Sequence, residues 1–403
     1  MKTKILSIAA ICFAAFAMTA CSSGENTANR IEFPGTVDNE AFAACVESIS
    51  VENLQLEDNW AFMRFMAISL SDNYLYMFDD DNMSLTCFDR RTGEKLSART
   101  IKGNGPGEIV GMNSLFCIGD TLCLYDTKGI ILQYDRDCRF LGKMHEFSDL
   151  SYRYNIIKLD NGNYVFASIT NPEGGDDNAA MMLADKDFNI ISRHFNVPQA
   201  QIMIISGSDP YFVVGDTVRA TFYYDCYLYS LCGETEQVTE LVVPNPITPE
   251  KANEIFNSGD FNAINRDYDG KFYTAGGSGR YMIVAYNIGT DRYRAMLDYR
   301  ENKVTSMSVS DVEDNFESTA GIVSNLIMRS APFKSADGYI YARCKIDDMD
   351  TLFEGHDNLL DARLKATQAQ YHAYLERNAE YIKGLDEDER DEANVVIKIK
   401  LKD

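Results

Sequence analysis

The side chains able to do chemistry are few and scattered. Four histidines stand at His145, His194, His356 and His372. None belongs to an H-E-x-x-H pair or to a Cys/His group with metal-ligand spacing. No G-x-S-x-G nucleophile elbow occurs. Aspartates cluster at Asp79-Asp80-Asp81 and at Asp347, Asp348 and Asp350, where Ca²⁺ could find several oxygen ligands. Neither cluster has EF-hand spacing, and acidic turn residues are ordinarily solvated. No catalytic residue, metal or cofactor is therefore expected, with calcium as the alternative. The turn Gly103-Asn104-Gly105-Pro106-Gly107-Glu108 offers backbone N–H groups that could cradle an anion. Its glycines would equally supply the conformations that a chain crossing needs.

The elements that must position these residues are short strands. After the glycine turn come three apolar runs, 114–118, 121–125 and 130–134, separated by Gly119-Asp120 and by the turn from Asp126 to Gly129; 139–144 supplies a fourth. Four strands joined by tight turns make one blade of a β-propeller. The pattern repeats. Asp79 precedes Asp126 by 47 residues and Asp89 precedes Asp135 by 46, a period that suits four-stranded blades. Weaker copies begin near Tyr164, Val218, Tyr281 and Tyr339, giving six units. The fold expected is all-β: a six-bladed β-propeller over 31–403, with a long helical insertion near the C-terminus.

Residues 103–141 resemble the NHL-type repeat, in which a G-x-G-P/S-G-x turn leads into an aspartate-ended strand and then an aromatic-Asp strand. The Asn-x-Arg usual after that aspartate is replaced here by Thr127-Lys128-Gly129. The chain is similar, more closely, to six-bladed β-propeller lipoproteins of the Bacteroidota, which carry a G-x-G-P-G-E turn and end in an apolar strand followed by Leu-Lys, here 395–402. The resemblance implies a fold and a cell-envelope setting. It does not imply a reaction, because propellers host enzymes, scaffolds and receptors.

The N-terminus carries its own signal. Lys2 and Lys4 precede an apolar run from Ile5 to Met18, then Thr19-Ala20-Cys21. The run is too short to span a bilayer comfortably and fits a secretion signal over 1–20. Cys21 is the expected lipid attachment site, and 21–30 a polar tether. Two or three acyl chains, at about 0.8 kcal/mol per buried CH₂, would hold the protein on a membrane. The formal charge is −23 and becomes −25 without residues 1–20. Such a surface excludes nucleic acid as a partner and disfavours anionic lipid. The expected setting is the outer membrane, facing the periplasm, with an envelope protein or small ligand as partner.

Two helices interrupt the strands. Thr248-Pro249-Glu250 starts one over 249–257. Leu360, Leu364, Thr367, Tyr371, Tyr374, Asn378, Tyr381 and Leu385 step by four and three, one stripe on a helix of seven or eight turns within 356–385. That stripe suits packing against the propeller, or partner binding, since it is only half aliphatic. Residues 386–392 read as an acidic loop and 394–401 as a strand that closes the ring with an N-terminal segment such as 49–56. The eight cysteines after Cys21 read as mostly free and buried.

Inner-to-outer strand order gathers Gly103, Gly105, Gly107, Glu108, Asp79, Asp126, 171–177 and 287–291 on one loop face around the channel mouth, the expected binding surface. A non-enzymatic binding or scaffolding protein is the preferred reading. The alternatives are a lyase or hydrolase working in the channel, which histidines 145 and 194 converging with an acid would favour, and a structural subunit of a membrane complex.

Overall fold

The computed structural model describes residues 29–56, 66–147, 154–168, 179–196, 211–222, 226–258, 263, 266–312, 318–353, 359 and 361–403. The signal, Cys21, most of the tether, the loop 171–177, His356 and Leu360 lie outside them.

Among the described residues twenty-five strands form six sheets. Blade 1 is β3 (Met66–Leu70), β4 (Tyr74–Asp79), β5 (Ser84–Asp89) and β6 (Lys95–Thr100). Blade 2 is β7 (Met112–Ile118), β8 (Thr121–Asp126), β9 (Ile130–Tyr134) and β10 (Phe140–Glu146). Blade 3 runs through β11 (Tyr154–Lys158), β12 (Tyr164–Ser168), β13 (Ala179–Ala184) and β14 (Ile190–Asn196). Blade 4 is β15 (Tyr211–Val214), β16 (Thr217–Thr221), β17 (Tyr227–Cys232) and β18 (Thr235–Val242), with β1 (Asn29–Glu32) added parallel to β18. Blade 5 is β19 (Gly270–Ser278), β20 (Tyr281–Ile288), β21 (Asp291–Asp298) and β22 (Lys303–Ser308). Blade 6 takes β23 (Ala331–Ala336), β24 (Tyr339–Lys345), β25 (Asn394–Leu401) and β2 (Val46–Val51).

The ring closes through both chain ends. β25 lies between β24 and β2, with Ile399 paired to both Ile340 and Ile49. Closure leaves no open inner seam. Second strands are sandwiched between neighbouring blades, so they read as continuous apolar runs, as in Leu75–Phe78 and Leu122–Tyr125, all buried. Their tyrosines satisfy themselves on the next unit: the Tyr76 hydroxyl donates to the Asp120 carbonyl at 2.8 Å.

The C-terminal insertion differs from a single long helix. It comprises one helix over Ala362–Arg377, a break at Asn378 and a second over Ala379–Gly384. The supposed acidic loop is itself a short helix, Glu387–Glu392, started by an Asp386/Glu389 capping box. The main helix lies along β2, the outer edge of blade 6. Arg363 donates to the Val46 carbonyl at 2.6 Å, the Thr367 hydroxyl to Ile49 at 2.8 Å, and Gln370 accepts from the Val51 N–H at 3.0 Å. Asn378 extends the pattern, accepting from the Leu56 N–H at 2.7 Å and donating to the Leu54 carbonyl at 3.0 Å. The polar residues in the stripe therefore hydrogen-bond a sheet edge that would otherwise offer bare backbone groups. Leu364, Tyr371 and Tyr374 are buried beside them, which removes the exposed tyrosine face that partner binding would need.

Candidate functional site

Strand order sorts the loops onto two faces. Turns between second and third strands share one face with the blade-to-blade crossings. Turns between first and second strands share the other. The glycine turn belongs to the crossing face, and its groups are engaged within the turn. The Gly105 N–H donates to the Glu108 carboxylate at 2.8 Å, Glu108 N–H to the Gly105 carbonyl at 3.0 Å, and Gly103 N–H to Ile109 at 2.9 Å. The anion that this cradle receives is the Glu108 side chain. Gly107 has φ +73°, and a Cβ there would lie 2.4 Å from the Phe140 ring.

Asp79 and Asp126, expected as solvated turn carboxylates, are each only 3% exposed. Asp79 accepts from the Asp81 N–H at 3.0 Å and from the Asn82 amide at 2.7 Å. Asp126 accepts from the N–H groups of Lys128 and Ile130, both at 2.9 Å. Each closes its own turn as an Asx motif. In the second aspartate group Asp348 pairs with Arg329 at 2.5 Å and Asp350 accepts from the Tyr371 hydroxyl at 2.7 Å. Among the described residues no three His, Cys, Asp or Glu side chains are arranged to hold a metal ion.

Histidines 145 and 194 do not converge either. His145 lies on β10 against Phe147 and Phe188, where burial lowers its pKa. His194 lies on β14, its imidazole between the Ser192 hydroxyl at 2.8 Å and the Glu236 carboxylate at 2.9 Å. That order resembles a nucleophile–base–acid relay. His194 is 6% exposed and bridges the outer strands of blades 3 and 4, away from the axial cavity.

An axial cavity opens on the first-turn face, opposite the glycine turn and the crossing loops among which the binding surface was expected. It measures about 670 Å³ and takes residues from all six innermost strands. Phe116, Ile156, Tyr211 and Val213 make apolar wall; Lys158, Asp160, Lys334, Asp337, Lys400 and Asp403 ring the opening. Asp337 is held by Arg90 at 2.5 Å and Lys400 by Glu47 at 2.7 Å. Lys158 and Asp160 have no ion-pair partner among the described residues.

Two glycines of β19 shape the wall. A Cβ on Gly277 would lie 2.5 Å from the Phe212 ring, and one on Gly276, at φ +126°, 2.8 Å from Ile340. They let the inner strands of blades 4, 5 and 6 approach closely. The Cys117 thiol in this wall is pushed up to about 11 by burial, against a hydrogen bond from Ser69 at 3.2 Å. It is protonated at neutral pH and a poor nucleophile. Sequence reasoning missed these residues, although the adjacent Gly276-Gly277 inside an apolar strand was a usable sign.

Residues 22–323 match a family described as a 6-bladed beta-propeller, DUF5128. The chain belongs to this family of six-bladed β-propellers. Among solved structures it is similar to a protein of Bacteroides fragilis NCTC 9343, provisionally described as exported. The two share 17% identity at a TM-score of 0.61, over 94% of this chain and 100% of that one. A DUF4221 member from Bacteroides vulgatus ATCC 8482 is 9% identical, covering 89% and 98%, at a TM-score of 0.46. No curated protein matches the chain significantly. Among the described residues no helix is long and apolar enough to cross a membrane.

Proposed function

We propose that this propeller is a lipid-anchored envelope protein that binds a small ligand or an exposed peptide at the first-turn mouth of its axial channel, without catalysis. The observation that carries the reading is the axial cavity itself: one concavity built by all six blades, with apolar walls and a charged rim. Clefts of about 300–1,000 Å³ with apolar walls and few placed polar groups are typical ligand sites. The protonated Cys117 thiol and the engaged Ser69 hydroxyl suit binding better than covalent chemistry.

The envelope setting is supported by the charged start, the short apolar run and the Thr19-Ala20-Cys21 junction. It is compatible with the provisional description of the structurally similar Bacteroides fragilis protein as exported. Cys21→Ser should move the protein from the membrane fraction to the soluble fraction; unchanged membrane association with the signal still cleaved would rule out the anchor. For the site, we compare capture from envelope extract by wild type, Lys158→Glu and Glu108→Lys. The reading expects loss of capture in Lys158→Glu and retention in Glu108→Lys. The reverse pattern would transfer the site to the crossing face.

A further inference from the structure

A second cavity, separate from the axial one, lies in blade 5 on the crossing face. It measures about 620 Å³ and sits between the sheet and the helix Thr319–Arg329. Strand register explains it. Ala285 pairs with both Tyr273 and Arg294, so a methyl group stands between two long side chains and leaves a hollow above it. One step along, Asn287 pairs with Arg292, and Lys271 lines the same wall. Met328 and Arg329 at the helix end form the far side.

The charge of this hollow runs against that of the molecule. The chain carries a formal charge of −23, yet Lys271, Arg292, Arg294 and Arg329 line the cavity and, among the described residues, no carboxylate does. Arg329 is neutralised by Asp348 at 2.5 Å, and Asp269 lies close enough to act on Lys271. Arg292 and Arg294 have no carboxylate partner among the described residues. Among the described residues Arg294 donates to the backbone carbonyls of Ile327 at 2.6 Å and Ser330 at 3.5 Å. Burial lowers the pKa of Arg294, the direction expected for a desolvated cation. Guanidinium forks suit planar or tetrahedral oxyanions, which they grip with paired N–H groups.

A second observation points to the same place. Asn287 is 7% exposed. Its amide N–H groups donate to the Tyr268 carbonyl at 3.3 Å and the Gly289 carbonyl at 2.9 Å, which holds this polar residue fixed in the cavity wall beside Arg292.

We infer that the blade-5 cavity binds a small oxyanion of the size of a sugar acid or sugar phosphate, with its carboxylate or phosphate on Arg292 and Arg294. The site uses none of the residues of the axial cavity and stands whether or not that channel binds anything.

The test is isothermal titration of the purified full chain with D-glucuronate, D-glucose 6-phosphate and D-glucose. At least one of the two anionic sugars should bind saturably, and glucose at least tenfold more weakly; which anion binds separates the carboxylate from the phosphate source. Arg292, exposed and without an ion-pair partner among the described residues, can be changed without disturbing the fold. Arg292→Glu should weaken the binding at least tenfold at an unchanged melting temperature, and Arg292→Lys, which keeps the charge and loses the fork, should weaken it less than Arg292→Glu. No saturable binding of either anionic sugar, equal binding of glucose, or an unchanged affinity in Arg292→Glu would each overturn the inference.

Discussion

Replacing Asn378 by Leu should destabilise the propeller far more than a change at a surface helix position can. Asn378 is 2% exposed and completes the outer edge of blade 6 through two backbone groups, the Leu56 N–H and the Leu54 carbonyl. Leucine fills the space but strands both. A buried donor or acceptor left without a partner costs about 1–3 kcal/mol, so Asn378→Leu should cost roughly 2–5 kcal/mol. Thr367→Val removes only the donor to the Ile49 carbonyl and should cost about 1–3 kcal/mol. The two positions are eleven residues apart, about 16 Å along a helix axis, so their effects should add. The control is Glu376→Ala, exposed on the same helix and expected to stay within about 0.5 kcal/mol. Urea unfolding followed by circular dichroism measures all four proteins, with light scattering to register edge-to-edge association of a bared strand. A loss below about 0.5 kcal/mol in Asn378→Leu would refute the assignment of the helix to edge capping and return it to partner binding.

Two further outcomes follow from the same structure. Gly107→Ala meets both a positive φ and the Phe140 ring, so it should cost roughly 2–4 kcal/mol. Gly105, outside the left-handed region, would bring a Cβ only to 3.0 Å from the flexible Glu108 carboxylate, so Gly105→Ala should cost about 1 kcal/mol or less in the same urea melts. The second outcome is alkaline loss of stability. Burial pushes the thiols of Cys123 and Cys344 up to about 12 and that of Cys138 to about 11. A raised thiol pKa in the fold means that the unfolded chain gives up protons first. The contribution is complete below about pH 9 and is lost as pH rises from there through the folded values. At pH 10 each thiol should cost about 1.3 kcal/mol, and Cys344→Ala should flatten the fall between pH 8 and 10; an equally steep fall in the variant would remove that thiol from the account.

What the sequence revealed depended on where a strand lies in its blade. Second strands such as β4 and β8 are covered on both sides, so Leu75–Phe78 and Leu122–Tyr125 stand out as apolar runs, and their Asp79-to-Asp126 spacing exposed the period. First strands carry the channel, and their residues are mixed because one end faces solvent. Lys158 at the end of β11 and Lys334 on β23 therefore gave no signal. The glycine turn drew attention because its composition is unusual, but its N–H groups and Glu108 serve one another. Helical periodicity found the stripe from Leu364 to Asn378. It could not show that Thr367 and Asn378 meet backbone more than 300 residues away in sequence.

The most direct test of the axial-channel reading is the electron density of the protein purified from its own envelope, with bound species first identified by native mass spectrometry. The account predicts density for that species in the axial cavity, against Phe116 and Tyr211 and within reach of Lys158 and Lys334. A stoichiometrically bound species found instead over residues 103–108, with the axial cavity empty, would contradict it.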